Sequence, residues 1–137
     1  MECFKVTSDY LLDTHIWLWS LIEPERLPVS FRKILTSENC SLYLSSVSIW
    51  EVVFLGEKGR IQLTPDPVRW VRDHLAQSPV REAPLNNEIA IRSRTLKTNI
   101  KDLADRFIMA TAAVYGACLL TVDKEIQKCR DVNVLNH

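Results

Sequence analysis

Apolar residues along the chain change spacing repeatedly, from short runs of strand length to longer stretches that recur with helical period. Tyr10 to Asp13 reads as a short buried strand, and His15 to Leu21 as an apolar helix ended by Glu23, Pro24 and Pro28. A second helix is expected over Ser30 to Thr36, with Ser30 as its cap. Ser41 to Ser45 alternates around Leu42 and Leu44 as a strand, and Val47 to Glu57 then has helical length. Asp66-Pro67 opens an amphipathic helix that Ser78-Pro79 stops, and a short extended piece follows near Val80 to Glu82. Helices are expected again from Asn86 and over Leu103 to Tyr115, where Gly116 is the natural stop. Ala117 to Asp123 is a near-continuous apolar run closed by an acid, and Val132 to Leu135 suits a last edge strand. Strands alternating with one or two helices predict an α/β fold, a parallel sheet covered on both faces.

Composition narrows this picture only slightly. At 137 residues, with 47% hydrophobic and 25% charged residues, the chain suits one globular domain over 1–137, without repeats or linkers. Lys plus Arg number 17 and Asp plus Glu 17, so there is no global pull toward polyanions, and any nucleic-acid contact must be local. No stretch approaches the length needed to cross a bilayer, and the opening residues lack a basic segment leading into an apolar one; a cytoplasmic protein without a membrane partner is expected. Cys3, Cys40, Cys118 and Cys129 are far apart without zinc-finger spacing, which predicts reduced thiols and no structural zinc.

The candidate chemistry is acidic. Ligands of open parallel sheets bind at the carboxyl ends of strands, and two expected strands close there on Asp13 and Asp123. Each acid is also a plain helix cap in the making. Glu51 stands in VSIWEVVFL, apolar on almost every face, so its helix is expected to bury a lone carboxylate; Lys58 is two turns away, and the blander alternative is a solvated stripe with Ser48. Asp102 and Asp105 open the next helix in DLADR, a spacing that a capping box would also explain. Carboxylates within about 5 Å would repel by roughly 3 kcal/mol per pair at an effective dielectric near 20. A divalent cation relieves that repulsion, all-oxygen sites favour magnesium or manganese, and an acidic cluster lacking histidine ligands points to nuclease chemistry.

Three segments taken together, YLLDTHIWLWSL, SSVSIWEVVFLGEKGRI and DLADRFIMATAAVYGACLLTVDKEI, resemble the successive signatures of PIN-domain proteins, above all the bacterial VapC-type toxins. The resemblance implies a PIN-like three-layer α/β/α fold with a central parallel sheet, and a magnesium- or manganese-dependent endoribonuclease acting on RNA. It also implies inhibition by a small antitoxin protein, and a homodimer is expected. Asp13, Glu51, Asp105 and Asp123 match the acidic quartet, with Asp102 as a further acid. Thr14, Ser46 and Thr121 fall beside these acids, where hydroxyls would meet metal-bound water. Ile100 and Leu103 depart from the histidine and proline often found around this motif in the family.

The densest positive region, Arg92, Arg94, Lys97, Lys101 and Arg106, is the candidate RNA-binding patch, a solvated helix face being the alternative. Most of Trp17, Trp19, Trp50, Trp70 and Phe54 are expected in the core rather than in a partner groove, and His15 is expected to be packed. A receiver-like signalling domain would need a pair of acids after the first strand, and a phosphatase would need an aspartate where His15 stands. A PIN-like binding module without chemistry sits poorly with an intact acidic quartet.

Overall fold

The computed structural model describes residues 8–135, so the expectation about Cys3 lies outside the described residues. Four strands, β1 (Asp9–Leu12), β2 (Ser41–Ser45), β3 (Arg81–Ala83) and β4 (Cys118–Leu120), form one sheet in the order β3-β2-β1-β4. Every pairing is parallel, with Leu12 opposite both Leu44 and Leu120. The chain steps outward from β1 through β2 to β3 and then returns to the other side of β1. A crevice therefore opens between β1 and β4 at their carboxyl ends, the place where such sheets bind ligands.

Period-two alternation divides the strands between two cores. Leu11 and Leu119 face one side, packed with Ile89, Ile108, Met109 and Ile126 from α5 (Asn87–Thr95), α6 (Leu103–Tyr115) and α7 (Lys124–Gln127). Leu12, Leu44 and Leu120 face the other. There they meet Ile16 and Trp17 of α1 (Thr14–Ile22), Phe31 of α2 (Val29–Leu35), Val52 of α3 (Ser46–Glu57), and Trp70 and Val71 of α4 (Pro67–Gln77). The result is the three-layer α/β/α arrangement expected of the sequence, and no described helix is long and apolar enough to cross a membrane.

Local expectations fail where short-range chemistry has more than one solution. Ser30 does not cap α2: the cap position is Pro28, whose extended backbone starts the helix one residue earlier without a side-chain bond. The run Val132 to Leu135 makes a single bridge, Val134 to Leu119, rather than a strand. The polar end of the Ala117 to Asp123 run is not strand at all, since Asp123 caps α7, a four-residue helix too short to leave a periodic signature. Cys118 is disulfide-bonded, against the expectation of reduced thiols, because spacing in sequence does not report which thiols the fold brings together. Cys40 and Cys129 are free.

Candidate functional site

Asp13 leaves β1 at the crevice and caps α1. Its Oδ1 accepts the Thr14 backbone N–H at 2.8 Å and its Oδ2 accepts the Thr121 hydroxyl at 2.7 Å. Thr121 is wholly buried just beyond β4, and its hydroxyl oxygen in turn accepts the backbone N–H of Asp123 at 3.1 Å. One hydroxyl thus joins the two strand-end acids. Asp123 caps α7 by accepting the N–H groups of Glu125 and Ile126. Asp102 caps α6 by accepting the N–H of Asp105 at 2.9 Å, which leaves the Asp105 carboxylate in the first turn facing the crevice. The capping explanations weighed for Asp13, Asp102 and Asp123 are correct as local structure. They do not compete with a site, because a carboxylate offers about four lone-pair positions and these bonds leave some of them available even at Asp13, where both oxygens already accept.

Asp13, Glu51, Asp102, Asp105 and Asp123 all line one open cleft of about 570 Å³, together with His15, Trp19, Arg26 and Val122. The electrostatics record their proximity. Burial pushes the Asp105 carboxyl up to about 7, reinforced by the charges of Asp13, Asp102, Glu51 and Asp123. Asp13 is also raised, chiefly by burial, although the bonds from Thr121 and Thr14 pull the other way. Among the described residues no group of three or more His, Cys, Asp and Glu side chains is drawn close enough to close directly on one ion. Magnesium is commonly held by one or two carboxylates while keeping several waters, so a spread, all-oxygen set of this kind fits it.

Glu51 reaches the cleft from α3, whose setting differs from expectation. Only Ser48 and Val52 of that helix are buried, and Trp50 is 61% exposed, stacked on Phe54 with ring centroids 5.3 Å apart. Glu51 is therefore not a charge sunk in a buried helix, and the solvated-stripe alternative errs too, since Ser48 is buried against Thr14. Lys58 lies over the Phe54 ring.

The other candidates divide. Thr14 is buried and donates its hydroxyl to Ser48 at 2.9 Å, tying α1 to α3, and Ser46 lines a separate cavity with Ile49, Leu75 and Arg81. Neither lines the acidic cleft. Arg106 is tied into the structure: its guanidinium donates to the backbone carbonyls of Ser93, Ile100 and Leu96. It pins the connection between α5 and α6 with three of its five N–H donors. Arg94, Lys101 and Arg106 line a neighbouring cavity of about 560 Å³ with Thr98 and Asn99. Lys97 is exposed and Arg92 partly so. His15, expected to be packed, is exposed on the cleft beside Trp19. Trp19 and Arg26 were not foreseen as cleft residues, since nothing in their spacing separates them from a helix face and a turn.

Comparison with known proteins agrees with this architecture. Residues 10–132 match the PIN domain family. Ribonuclease VapC22 of Mycobacterium tuberculosis is 31% identical over 121 residues, covering 88% of this chain and 91% of that one. The fold is similar to VapBC2 from Rickettsia felis, solved bound to a promoter DNA fragment, with a TM-score of 0.72 at 17% identity over 94% of this chain and 98% of that one. It is likewise similar to VapBC-1 from nontypeable Haemophilus influenzae, with a TM-score of 0.66 at 22% identity over 93% and 97%. With the strand-end acids, the doubly covered parallel sheet and a match spanning nearly the whole sequence, this chain belongs to the PIN-domain family, among its VapC-type toxins.

Proposed function

We propose that the chain is a divalent-cation-dependent endoribonuclease and the toxin of a toxin–antitoxin pair. The observation that carries this reading is the meeting of Asp13, Glu51, Asp105 and Asp123, from four separated segments, in one cleft at the β1/β4 crevice. In this scheme Asp13, Asp105 and Asp123 would hold Mg2+ or Mn2+, in part through the waters such an ion keeps, with Asp102 as a flanking acid. When bound, the ion supplies positive charge against the phosphodiester and lowers the pKa of water. Glu51, approaching from α3, orients the attacking water or serves a second ion. Thr121 keeps Asp13 and Asp123 in register through its shared hydroxyl. In-line attack at phosphorus releases a 3′-hydroxyl and leaves a 5′-phosphate.

The antitoxin partner is inferred from relatives solved as VapBC complexes, and a homodimer belongs to the same proposal. Of the basic residues, Arg92, Arg94, Lys97, Lys101 and Arg106 are the candidates for holding RNA, with Arg106 also tied to the α5–α6 connection. The test is incubation with a mixed RNA pool, with and without manganese and with chelator, followed by mapping of new ends. Cleavage is expected only with the cation. Asp13→Asn preserves shape and the cap but removes charge, so it is expected to abolish cleavage with little change in thermal unfolding; full activity in that variant would remove Asp13 from the mechanism.

A further inference from the structure

Arg26 is the one lysine or arginine among the residues lining the acidic cleft. It closes the short 3-10 turn Pro24–Arg26 that follows α1. Its guanidinium carbon lies 4.3 Å from the centroid of the Trp19 ring, and Trp19 is flanked in turn by His15, ring to ring at 5.9 Å. The only ion pair Arg26 makes among the described residues is to Glu23 at 3.9 Å, between side chains 52% and 48% exposed. A contact that long between solvated groups holds little. Unlike Arg106, Arg26 makes no side-chain hydrogen bond among the described residues, so its N–H fork is available.

The position answers an electrostatic need. Five carboxylates line the cleft, more negative charge than a divalent ion offsets, while the proposed substrate is itself a polyanion. A cation within the cleft lowers the cost of bringing a phosphate to the acids. Arginine suits that task better than lysine because its planar fork matches two phosphate oxygens, and stacking on an indole fixes the plane before the ligand arrives. We propose that Arg26 binds the phosphodiester neighbouring the one to be cut, and that Trp19 is the platform that holds it ready. The inference rests on the ribonuclease reading for the identity of the ligand, but its test does not depend on cutting.

The experiment titrates a labelled single-stranded RNA of mixed sequence against the protein in calcium over a range of salt concentrations, and measures KM and kcat separately in manganese. Arg26→Gln is expected to weaken binding by about tenfold, the loss of one charge-assisted contact. It is also expected to flatten the logarithmic salt slope by about 0.7, one phosphate on a single strand. KM should rise and kcat stay within about twofold, as for an interaction equal in ground and transition states. Trp19→Leu should move toward Arg26→Gln, Trp19→Phe, which keeps a smaller ring under the guanidinium, should lose less than Trp19→Leu, and Arg32→Gln, on the exposed face of α2, should change neither slope nor KM. An unchanged slope and affinity in Arg26→Gln overturns the proposal. So does a fall in kcat with the slope intact, which would make Arg26 a counter-charge for the acids. A protein that binds RNA through Arg26 yet leaves it whole defeats the ribonuclease reading alone; one that cuts with binding indifferent to Arg26 defeats this inference alone.

Discussion

Thr121 shows how much one buried hydroxyl can decide. It donates to Asp13 and accepts from the Asp123 backbone, so Thr121→Val leaves a desolvated carboxylate and a backbone N–H without their shared partner. The expected cost is about 2 kcal/mol in urea unfolding, with a drop in cleavage, because a buried acceptor left unsatisfied loses its solvation as well as its bond. Sequence placed Thr121 beside the acids but assigned it to metal-bound water; its actual partners depend on the spacing of two adjacent strands. Asp105 gives a pH signature. Its carboxyl, raised to about 7, binds a proton in the folded protein over the range where an unfolded chain has already released it. In the cation-free protein this group's contribution to stability therefore falls as pH rises from about 4 to about 7 and stays lost above. Asp105→Asn removes that charge, so its melting temperature without cation should exceed that of wild type at pH 8, with the difference shrinking toward pH 4. A constant difference across that range would contradict a carboxyl raised by burial and its acidic neighbours.

At the scale of elements, the α5–α6 connection is the feature most dependent on a single side chain. Arg106 stands one turn into α6 and reaches back to carbonyls at the end of α5 and in the loop, at 2.8, 2.6 and 3.3 Å. The loop ends at the Asp102 cap, so what fixes the loop also fixes the first turn carrying Asp105. Arg106→Ala is expected to cost about 2 to 3 kcal/mol and to speed amide exchange in residues 96–102, and Arg106→Lys should recover little, lacking the fork. The α6 helix itself was legible end to end. An acidic cap opens it, and Gly116, at φ 66°, supplies the left-handed residue that ends it. The α3 environment was not legible: VSIWEVVFL is apolar all round, yet the fold leaves Trp50 in solvent. Composition counts apolar residues, and only the neighbouring elements decide how many are covered.

Over the whole molecule, the sheet separates two cores that share its strands, and we propose that they unfold as one unit. Phe31→Ala on one side and Met109→Ala on the other both empty fully buried positions, so each should lower stability by about 2 to 5 kcal/mol. If the two faces are one domain, both variants shift a single calorimetric transition; two separable transitions would divide the molecule. The sequence by itself determined the alternation of strands and helices, and with it a parallel sheet with acids at strand ends, because these follow from local periodicity, capping and chain direction. It also marked Asp13 and Asp123 at strand ends and Asp102 and Asp105 at a helix start, while the grouping of Asp13, Glu51, Asp105 and Asp123 as a quartet came from the resemblance to PIN-domain proteins. Only the tertiary structure decided that β4 returns beside β1 and opens the crevice, that Arg106 is bonded to carbonyls, and that Trp19 and Arg26 join the cleft. Those outcomes are set by contacts between residues far apart along the chain, and no pattern of spacing within a single segment encodes which of them will meet.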